Sequence, residues 1–361
     1  MQTNYLFSTV LISLLLPALA SVGIAQTISS SGSSAPASTF TNFDVPGAQD
    51  TEPASINATG QIAGFYQTAT APYLHGFLRL VNGDLTTFDV PAATSTEPTG
   101  INSGGRIIGY YGDAQYNFHG FSRALSGELV YFDVPGATWT FPSAVNDSGQ
   151  IVGGYTLCEG CQPAASGFLR DLSGTITTFE PPGAVSTSAA GINSNGVIAG
   201  SYWDGVINHG FIRDPLGNFT SFDAPGAGSQ GTVVSAISDD GSITGRYSDA
   251  SYVYHGFVRD PAGNISSFDA PGAGTKKYQG TQPLSINSGG QISGYLWTSQ
   301  FAVRGFIRES NGVISAFGDA SAGTLAYEGT YPFAMNDSTK VTGYYSDTSN
   351  FAHGFLLNRK Y

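Results

Sequence analysis

The chain has 361 residues, including 48 Gly, 18 Pro, 23 Phe and 19 Tyr, and only 11% of its residues are charged. This composition is typical of turn-rich β structure and argues against a disordered or mainly helical chain. The formal net charge is −12, and the 14 Lys and Arg residues are spread thinly, which excludes nucleic acid as a partner because phosphate binding needs clustered basic side chains.

The N-terminal segment contains an apolar run, Leu6 to Ala20, followed by small residues at Gly23 and Ala25. The run predicts a secretory signal peptide over residues 1–25, although no Lys or Arg precedes it. An N-terminal membrane anchor is the alternative, but the run is short for a spanning helix, and no later segment is long and apolar enough to cross a bilayer. We therefore expect a secreted protein, extracellular or periplasmic, with a Ser-rich flexible leader over residues 26–38.

One sequence pattern recurs seven times over most of the remaining chain. An apolar residue and Asn lead through a short polar turn to x-Ile-x-Gly-x-Tyr, and after a variable gap come His-Gly-Phe-x-Arg and Phe-Asp-x-Pro-Gly-Ala. The glycine of the His-Gly-Phe motif recurs every 43 to 49 residues, at Gly76, Gly120, Gly167, Gly210, Gly256, Gly305 and Gly354. Short alternating runs between Gly, Asn and Pro favour strands over helices.

Each copy divides into four predicted strands, a to d. In the first copy strand a includes Pro53–Asn57, and the turn Asn57–Gly60 leads into strand b, Gln61–Tyr66. Strand c begins at His75, and a short Asn-Gly turn leads to strand d, Leu85–Val90. A glycine at the fourth position of every strand b indicates the close approach of a neighbour, which we expect to be the phenylalanine ring of His-Gly-Phe.

Four-stranded repeats of this length predict a β-propeller. The last copy ends after strand c, His353–Leu357, whereas an unpaired strand d, Phe40–Val45, precedes the first copy. We expect the N-terminal strand to complete the C-terminal blade and close the ring. The predicted fold class is all-β, a seven-bladed propeller of four-stranded antiparallel blades over residues 39–358. The blades are expected at about 52–90, 97–134, 141–180, 188–224, 233–270, 282–318, and 331–357 together with 39–45.

The two faces of such a propeller differ in their loops. Strand alternation places the a–b and c–d turns on one face, the short-turn face, and the b–c and d–a links on the other, the variable face. Because loops that tolerate insertions commonly carry binding sites, we expect ligands at the variable face, above all near links 156–165, 274–282 and 321–330. Candidate binding residues there, which could stack on or bind sugars, are Trp203, Trp297, Tyr278, Lys276, Lys277 and Tyr327. Packing between blades is the alternative for the tryptophans.

Aspartates supply further candidates. Four of them follow strand b on the variable face, where a carboxylate could bind a cation or sugar hydroxyls, or cap its own loop; they are Asp113, Asp204, Asp249 and Asp347. The aspartate of Phe-Asp-x-Pro-Gly-Ala precedes a Pro-Gly turn, and turn capping is its expected role.

Histidine opens strand c in five copies, at His75, His119, His209, His255 and His353. On a seven-bladed ring with strands about 4.8 Å apart, these positions would lie on the order of 14 Å from one another. Ligands of one ion lie about 2 Å from it, so a shared metal site is not expected. We expect the imidazoles to bond a backbone group or stack on an aromatic ring. No cofactor is predicted, and no specific motif supports Ca²⁺.

The chain has two cysteines, Cys158 and Cys161. Half of a zinc site or a redox pair are alternatives, but there is no second cysteine pair and no thioredoxin-like context. In an exported protein we expect a local disulfide between them.

The stretch Val145–Gly153, Val-Asn-Asp-Ser-Gly-Gln-Ile-Val-Gly, resembles the motif of a bacterial family of extracellular repeats called HAF repeats. His-Gly-Phe stands where that family has His-Ala-Phe. The likeness covers about residues 39–358. The family has no established activity, so the resemblance implies no catalytic residues.

The sequence contains no nucleophile, zinc-hydrolase or phosphate-loop motif, so catalytic residues stay unassigned. It favours a secreted, monomeric, non-enzymatic binding or scaffold protein with a carbohydrate or protein partner on the variable face. The alternative is a secreted glycan-active hydrolase or lyase that uses carboxylates on that face. Two carboxylates from different blades, converging beside an aromatic residue, would favour the enzyme.

Overall fold

The computed structural model describes residues 38–158 and 165–359. The predicted signal peptide, the leader up to residue 37, Cys161 and most of link 156–165 lie outside these residues. Within them the regular secondary structure is entirely β, in 28 strands. None of the described segments forms a helix that could cross a membrane.

The strands form seven repeat units, numbered 1 to 7 in chain order, after the N-terminal strand β1 (Thr39–Phe43). Units 1 to 3 comprise β2 (Asp50–Ile56), β3 (Ile62–Thr68), β4 (Ala71–Arg79), β5 (Leu85–Phe88); β6 (Ser95–Ile101), β7 (Ile107–Gly112), β8 (Phe118–Arg123), β9 (Leu129–Phe132); and β10 (Trp139–Val145), β11 (Ile151–Thr156), β12 (Ser166–Arg170), β13 (Ile176–Phe179). Units 4 and 5 comprise β14 (Ser186–Ile192), β15 (Ile198–Trp203), β16 (Asn208–Arg213), β17 (Phe219–Phe222); and β18 (Thr232–Ile237), β19 (Ile243–Ser248), β20 (Tyr254–Arg259), β21 (Ile265–Phe268). Units 6 and 7 comprise β22 (Gly280–Ile286), β23 (Ile292–Trp297), β24 (Val303–Arg308), β25 (Ile314–Phe317); and β26 (Gly329–Met335), β27 (Val341–Ser346), β28 (Ala352–Asn358).

Units 1 to 6 each pair four strands antiparallel in sequence order, as in β2-β3-β4-β5. Unit 7 has three strands of its own, and β1 pairs antiparallel with β28, with Thr39 opposite Asn358 and Phe43 opposite Gly354. The Phe40 ring of β1 lies 5.4 Å from the Phe355 ring of β28. The N-terminal strand therefore supplies the fourth strand of unit 7.

The strand-b glycines provide room for the neighbouring strand and for a ring. A Cβ on Gly64 would lie 2.3 Å from the Glu52 backbone oxygen and 2.8 Å from the Phe77 ring, so only glycine fits. The His-Gly-Phe ring therefore covers this glycine, as the sequence predicted. The seven equivalent rings are fully buried, at Phe77, Phe121, Phe168, Phe211, Phe257, Phe306 and Phe355.

The core lies between consecutive units. Phe121 and Ile107 of unit 2 pack against Ala63 and Leu78 of unit 1, and the same arrangement recurs along the chain. Each unit thus buries one face against the unit before it and the other face against the unit after it. A strand-a residue such as Thr96 also binds the preceding link, because its hydroxyl accepts a hydrogen bond from Val90 N at 3.0 Å.

Asparagines that follow strand a connect most neighbouring units to one another. The Asn57 side-chain amide donates to the Asn102 backbone oxygen at 2.9 Å, and the same bond links later units. The Asn336 amide of unit 7 donates to the Asn57 oxygen of unit 1 at 3.0 Å. Unit 5 has Ser238 at this position, and its hydroxyl bonds within its own turn instead. The last unit therefore lies beside the first.

Candidate functional site

The histidines that open strand c bind carboxylates. Nδ1 of His75 lies 3.0 Å from Asp89 Oδ1, and the Phe-Asp-x-Pro-Gly aspartates bind the other four histidines in the same way. Each ring also packs on the tyrosine of strand b, with Tyr66 and His75 centroids 5.1 Å apart. We expected each imidazole to bond a backbone group or to stack on an aromatic ring; the stacking is confirmed, and the hydrogen-bond partner is a carboxylate. The aspartate binds the histidine and does not show the turn-capping contact we expected.

The repeat copies contained a signal for this pair. Where Ser166 replaces histidine, Glu180 replaces aspartate, and the two side chains bond each other at 2.5 Å. Where Arg304 replaces histidine, Gly318 replaces aspartate. Histidine and aspartate therefore change together, 14 residues apart, and this co-variation within one chain would have identified the contact.

The four candidate aspartates after strand b are held within their own loops. Asp113 Oδ1 accepts hydrogen bonds from Gln115 N and Asn117 N, both at 2.8 Å, and its Oδ2 lies 3.4 Å from His119 Nε2. The equivalent carboxylates bind the following turn and the histidine in the same way, at Asp204, Asp249 and Asp347. These bonds use the oxygens that a ligand would need, and the geometry is that of loop caps.

The contacts between these histidines and aspartates shift the pKa values of both. Hydrogen bonds, first from the Asn117 side chain and then from the backbone and His119, lower the pKa of Asp113 to about 2, against the opposing effect of desolvation. Burial alone would lower the pKa of His119, but the carboxylates of Asp133 and Asp113 raise it above its ordinary value. The same balance raises the pKa of His209 and His353.

The structure groups four of the predicted aromatic and basic residues at units 5 to 7 of the variable face. Tyr278 lies 6.1 Å from Tyr252, and Lys277 Nζ lies over both rings at 4.8 and 4.4 Å. In the next unit Tyr327 stacks on Phe301 at 6.0 Å and lies 5.7 Å from Trp297. We call the five rings the aromatic rim: Tyr252, Tyr278, Trp297, Phe301 and Tyr327.

Two links of similar sequence build the rim. Residues 276–283 read Lys-Lys-Tyr-Gln-Gly-Thr-Gln-Pro, and residues 325–332 read Leu-Ala-Tyr-Glu-Gly-Thr-Tyr-Pro. Tyr278 N donates to Tyr252 O and Tyr327 N donates to Phe301 O, both at 2.8 Å. Each link therefore holds its tyrosine against the b–c turn of the preceding unit.

The rim rings stand on unusual backbone. Tyr252, Tyr278, Phe301 and Tyr327 have φ between 63° and 68°, a region that bulky side chains rarely adopt and that Gly or Asn occupies at lower cost. Tyr278 and Tyr327 remain 45% and 62% exposed, so burial of the rings does not offset this strain. Such strain concentrates at functional sites.

The other predicted residues lie apart from this group. Trp203 ends β15 of unit 4, half-buried and opposite Asn208. Lys276 is exposed, and its backbone N–H donates to Gln279 Oε1 at 3.1 Å. Cys158 is disulfide-bonded, and Cys161 lies outside the described residues.

A second group of side chains was missed by sequence reasoning. Its members occupy two positions that face each other across strands a and b. One is the third residue of strand a, and the other is the strand-b residue that follows the glycine. The residue types at both positions differ from unit to unit. Six of these side chains form the group we call the inner cluster: Glu52, Glu97, Tyr110, Tyr295, Tyr331 and Tyr344.

The inner cluster is continuous with the rim. Trp297 lies 5.7 Å from Tyr295 and 6.2 Å from Tyr331, and the Tyr331 hydroxyl donates to Tyr327 O at 2.7 Å. Tyr331 also stacks on Tyr344 at 4.9 Å. A continuous series of ring contacts therefore runs from Trp297, Phe301 and Tyr327 of the rim to the buried tyrosines of units 6 and 7.

The carboxylates of the cluster come from units 1 and 2. The Tyr110 hydroxyl donates to Glu97 Oε2 at 2.5 Å. Burial, then the charges of Asp50 and Glu97, raise the pKa of Glu52 to about 7. Burial also raises the pKa of Glu97, against the opposing hydrogen bonds from Tyr110 and Ser95. The Glu52 carboxyl is thus half protonated near neutral pH.

Burial acts on the tyrosines of the cluster as well. It raises the pKa of Tyr344 well above its usual range, and the charges of Glu52 and nearby tyrosines add to this effect. Burial and the Glu97 charge do the same for Tyr110. The cluster therefore presents neutral phenols beside carboxyls whose charged forms are disfavoured, a surface of hydroxyl donors and acceptors with aromatic faces.

Neither the protein-family models nor the curated proteins include a match to this chain. Among solved structures, the β-propeller domain of the Trilobed protease from Pyrococcus furiosus is similar, with a TM-score of 0.58, 11% identity, and coverage of 85% of this chain and 95% of that one. A prolyl endopeptidase matches with a TM-score of 0.54 and 13% identity over 87% of this chain and 51% of that one. A puromycin hydrolase matches with a TM-score of 0.51 and 14% identity over 86% of this chain and 55% of that one. At these identities the likeness concerns the fold alone: the chain is an all-β protein of the β-propeller type.

Proposed function

We propose that this protein is a secreted, non-enzymatic binding protein that holds a carbohydrate ligand on its variable face, at the aromatic rim. The observation that carries the proposal is the set of rim rings, exposed at Tyr278 and Tyr327 and strained at four of the five positions, which Trp297 joins to the phenols of the inner cluster. Aromatic faces stack on the apolar faces of sugar rings, while hydroxyl and carboxyl groups bond the sugar hydroxyls. A protein partner for the same surface is the other outcome of the test below.

The proposal includes a finer description of the fold. Seven four-stranded units, a β1 strand paired into unit 7 and the bond from Asn336 to Asn57 support a seven-bladed propeller closed by its N-terminal strand. The repeat motif supports a variant of the extracellular HAF repeat pattern. A signal peptide over residues 1–25, export to the periplasm or beyond, and a monomeric state belong to the same proposal.

The test is a glycan array followed by calorimetric titration of any glycan that binds. Tyr327→Ala should weaken binding about fivefold, because a stacked ring contributes on the order of 1 kcal/mol. Tyr116→Ala is the matched control: Tyr116 is also an exposed tyrosine with positive φ on the variable face, but it lies in unit 2. Equal losses in the two variants, or no glycan bound by the natural protein, would count against the proposal. A protein captured in place of a glycan, and lost in Tyr327→Ala, would transfer the site to a protein ligand.

A second function is favoured by one observation. Glu52 and Glu97 come from adjacent units, Glu97 accepts a hydrogen bond from Tyr110, and the Glu97 charge contributes to the raised pKa of Glu52. A carboxyl that titrates near neutral pH can act as a general acid or base, which suits a glycan hydrolase or lyase. Assays for reducing ends and unsaturated products on a polysaccharide panel test this reading. Activity should be lost in Glu52→Gln and kept in Glu180→Gln, and a blank panel would remove the enzyme from consideration.

A further inference from the structure

A cavity of about 240 Å³ opens between units 2 and 3 at the short-turn face, on the side of the molecule opposite the rim. Two arginines from different units line it, Arg106 before β7 and Arg170 at the end of β12. Ser122, which is buried, accepts a weak hydrogen bond from Arg106 Nη1 at 3.4 Å. Leu172 and Val130 add apolar walls. The space exceeds the roughly 30 Å³ that one water molecule occupies in the liquid several times over.

Arg170 alone does not distinguish this cavity from the equivalent junctions between the other units. It is the arginine of the His-Gly-Phe-x-Arg pattern, and its guanidinium lies 4.9 Å from the Phe132 ring centre of the preceding unit. Equivalent arginines in five other units cover an equivalent ring, at Arg79, Arg123, Arg213, Arg259 and Arg308. The distinguishing residue is Arg106, because no other unit has arginine there: units 1, 3 and 6 have glutamine, and units 4, 5 and 7 have Val197, Ser242 and Lys340.

The two guanidinium groups lie close enough to affect each other. Burial and then the charge of Arg106 lower the pKa of Arg170, and the charge of Asp171 opposes this only in part. Asp171 itself is held in its turn by Ser173 and Thr175. Within residues 38–158 and 165–359, neither arginine has a carboxylate oxygen within 4.0 Å, although the exposed Glu128 lines the cavity. Two cations thus share one cavity without a close counter-ion, in a chain of net charge −12.

We propose that the cavity between Arg106 and Arg170 binds a tetrahedral oxyanion, sulfate or phosphate, either as the free ion or as an ester group on a larger molecule. Guanidinium groups bind such oxygens through paired, charge-assisted hydrogen bonds, and an anion between the two would replace their repulsion by attraction. The site is independent of the carbohydrate site on the variable face.

Calorimetric titration with inorganic sulfate and with inorganic phosphate tests the site, at an ionic strength held constant with chloride. One saturable site is expected, and Arg106→Gln should weaken it on the order of tenfold or more. Arg304→Gln removes the same charge from an exposed position on the variable face and should leave the affinity unchanged. The absence of saturable binding, or equal losses in both variants, would overturn the proposal.

Two further variants test the assignment in the opposite direction. Glu128→Gln should tighten oxyanion binding, whereas Asp84→Asn, at the same repeat position in unit 1, should not change it. Gln61→Arg gives unit 1 an arginine at the position that Arg106 occupies in unit 2. The new arginine would face Arg123 of unit 2, as Arg106 faces Arg170, and should add a second site. An unchanged stoichiometry in Gln61→Arg together with an unchanged affinity in Glu128→Gln would also overturn it. Competition between glucose 6-sulfate and inorganic sulfate distinguishes the two sources. If the site accepts an ester group, glucose 6-sulfate displaces inorganic sulfate; if it accepts only the free ion, it does not.

Discussion

The side-chain amide of Asn336 donates a hydrogen bond to the backbone oxygen of Asn57, a residue 279 positions earlier in the chain. The same contact joins Asn102 to Asn146, which are 44 positions apart, at 3.1 Å. A bond that elsewhere links consecutive units thus also links the last unit to the first. Closure between units 7 and 1 can therefore be tested by comparing the stability lost when each of these two bonds is removed.

Asn336→Ala and Asn102→Ala should destabilise the protein by similar amounts, about 1–3 kcal/mol each, because each removes a buried side-chain amide together with its hydrogen bond to the next unit. The two asparagines are matched, since each also accepts a hydrogen bond from the backbone four residues on, at Lys340 and Arg106. Denaturant unfolding measures both losses. A clearly smaller loss for Asn336→Ala would mean that the circle is open between units 7 and 1.

The N-terminal strand offers a second test of closure. Phe40 packs between Phe355 and Phe317, at 5.4 and 6.0 Å. Phe40→Ala should therefore cost about 2 kcal/mol, and deletion of residues 39–45 should lower the melting temperature sharply because it leaves β28 without its partner. Removal of residues 26–37 is the control and should change nothing in thermal unfolding followed by circular dichroism. Unchanged melting after deletion of residues 39–45 would contradict the pairing of β1 with unit 7.

Gly153 and Gly154, neighbours on β11, should respond in opposite ways to alanine. A Cβ on Gly153 would lie 2.1 Å from the Phe141 backbone oxygen, whereas a Cβ on Gly154 would meet nothing closer than 3.8 Å. Gly153→Ala should cost about 3 kcal/mol or more through overpacking, and Gly154→Ala should be neutral or stabilise by up to about 1 kcal/mol. The midpoints of denaturant unfolding distinguish the two variants. Similar midpoints would mean that the strands do not approach one another as closely as described.

Stability should fall as the pH rises above about 4.5, first through Glu52 and then through the histidines. The pKa of Glu52 is raised from 4.5 to about 7, so the folded protein retains a proton that the unfolded chain has released, and stability is lost across that window. The raised pKa values of His119, His209 and His353 contribute stability that is fully present below pH 6.5 and lost as the pH passes through their folded values.

The lowered pKa of Asp113 acts at the acid end, because its contribution is present above pH 3.8 and is lost as the pH falls towards 2. Melting temperatures measured across this range should thus be highest near pH 4 to 5. Glu52→Gln should flatten the decline between pH 4.5 and 7 and leave the decline at higher pH intact. A melting temperature that rises steadily from pH 5 to pH 8.5 would be inconsistent with these shifts.

The architecture could be predicted from the sequence because it depends on residues that recur. Gly64 and Phe77 occupy fixed places in every copy, so their contact followed from the repeat alone. The pairing of β1 with β28 followed from a missing strand at one end and an extra strand at the other. Strand bounds were less exact, since the predicted Phe40–Val45 is observed as Thr39–Phe43.

The inner cluster could not be predicted in this way. Glu52 and Glu97 occupy a position at which the copies differ, and the register that aligns each with a strand-b residue is fixed only by the β-bulge that follows it. Their influence on each other also depends on how unit 1 stacks on unit 2. The pair of Arg106 and Arg170 depends on stacking as well, since the two residues come from different units on a face whose turns are uniform.

The amide bonds around the circle all point the same way. Six asparagines, from Asn287 through Asn336 and Asn57 to Asn193, each donate to the following unit, and the run ends at Ser238, which has no amide to pass on. Units 7 and 1 meet within this run, where Asn336 joins Asn57. The junction without such a bond lies between units 5 and 6, beneath Tyr278 and Lys277. A ligand bound across units 5 and 6 on the variable face would therefore connect the two units at the junction that lacks this amide bond.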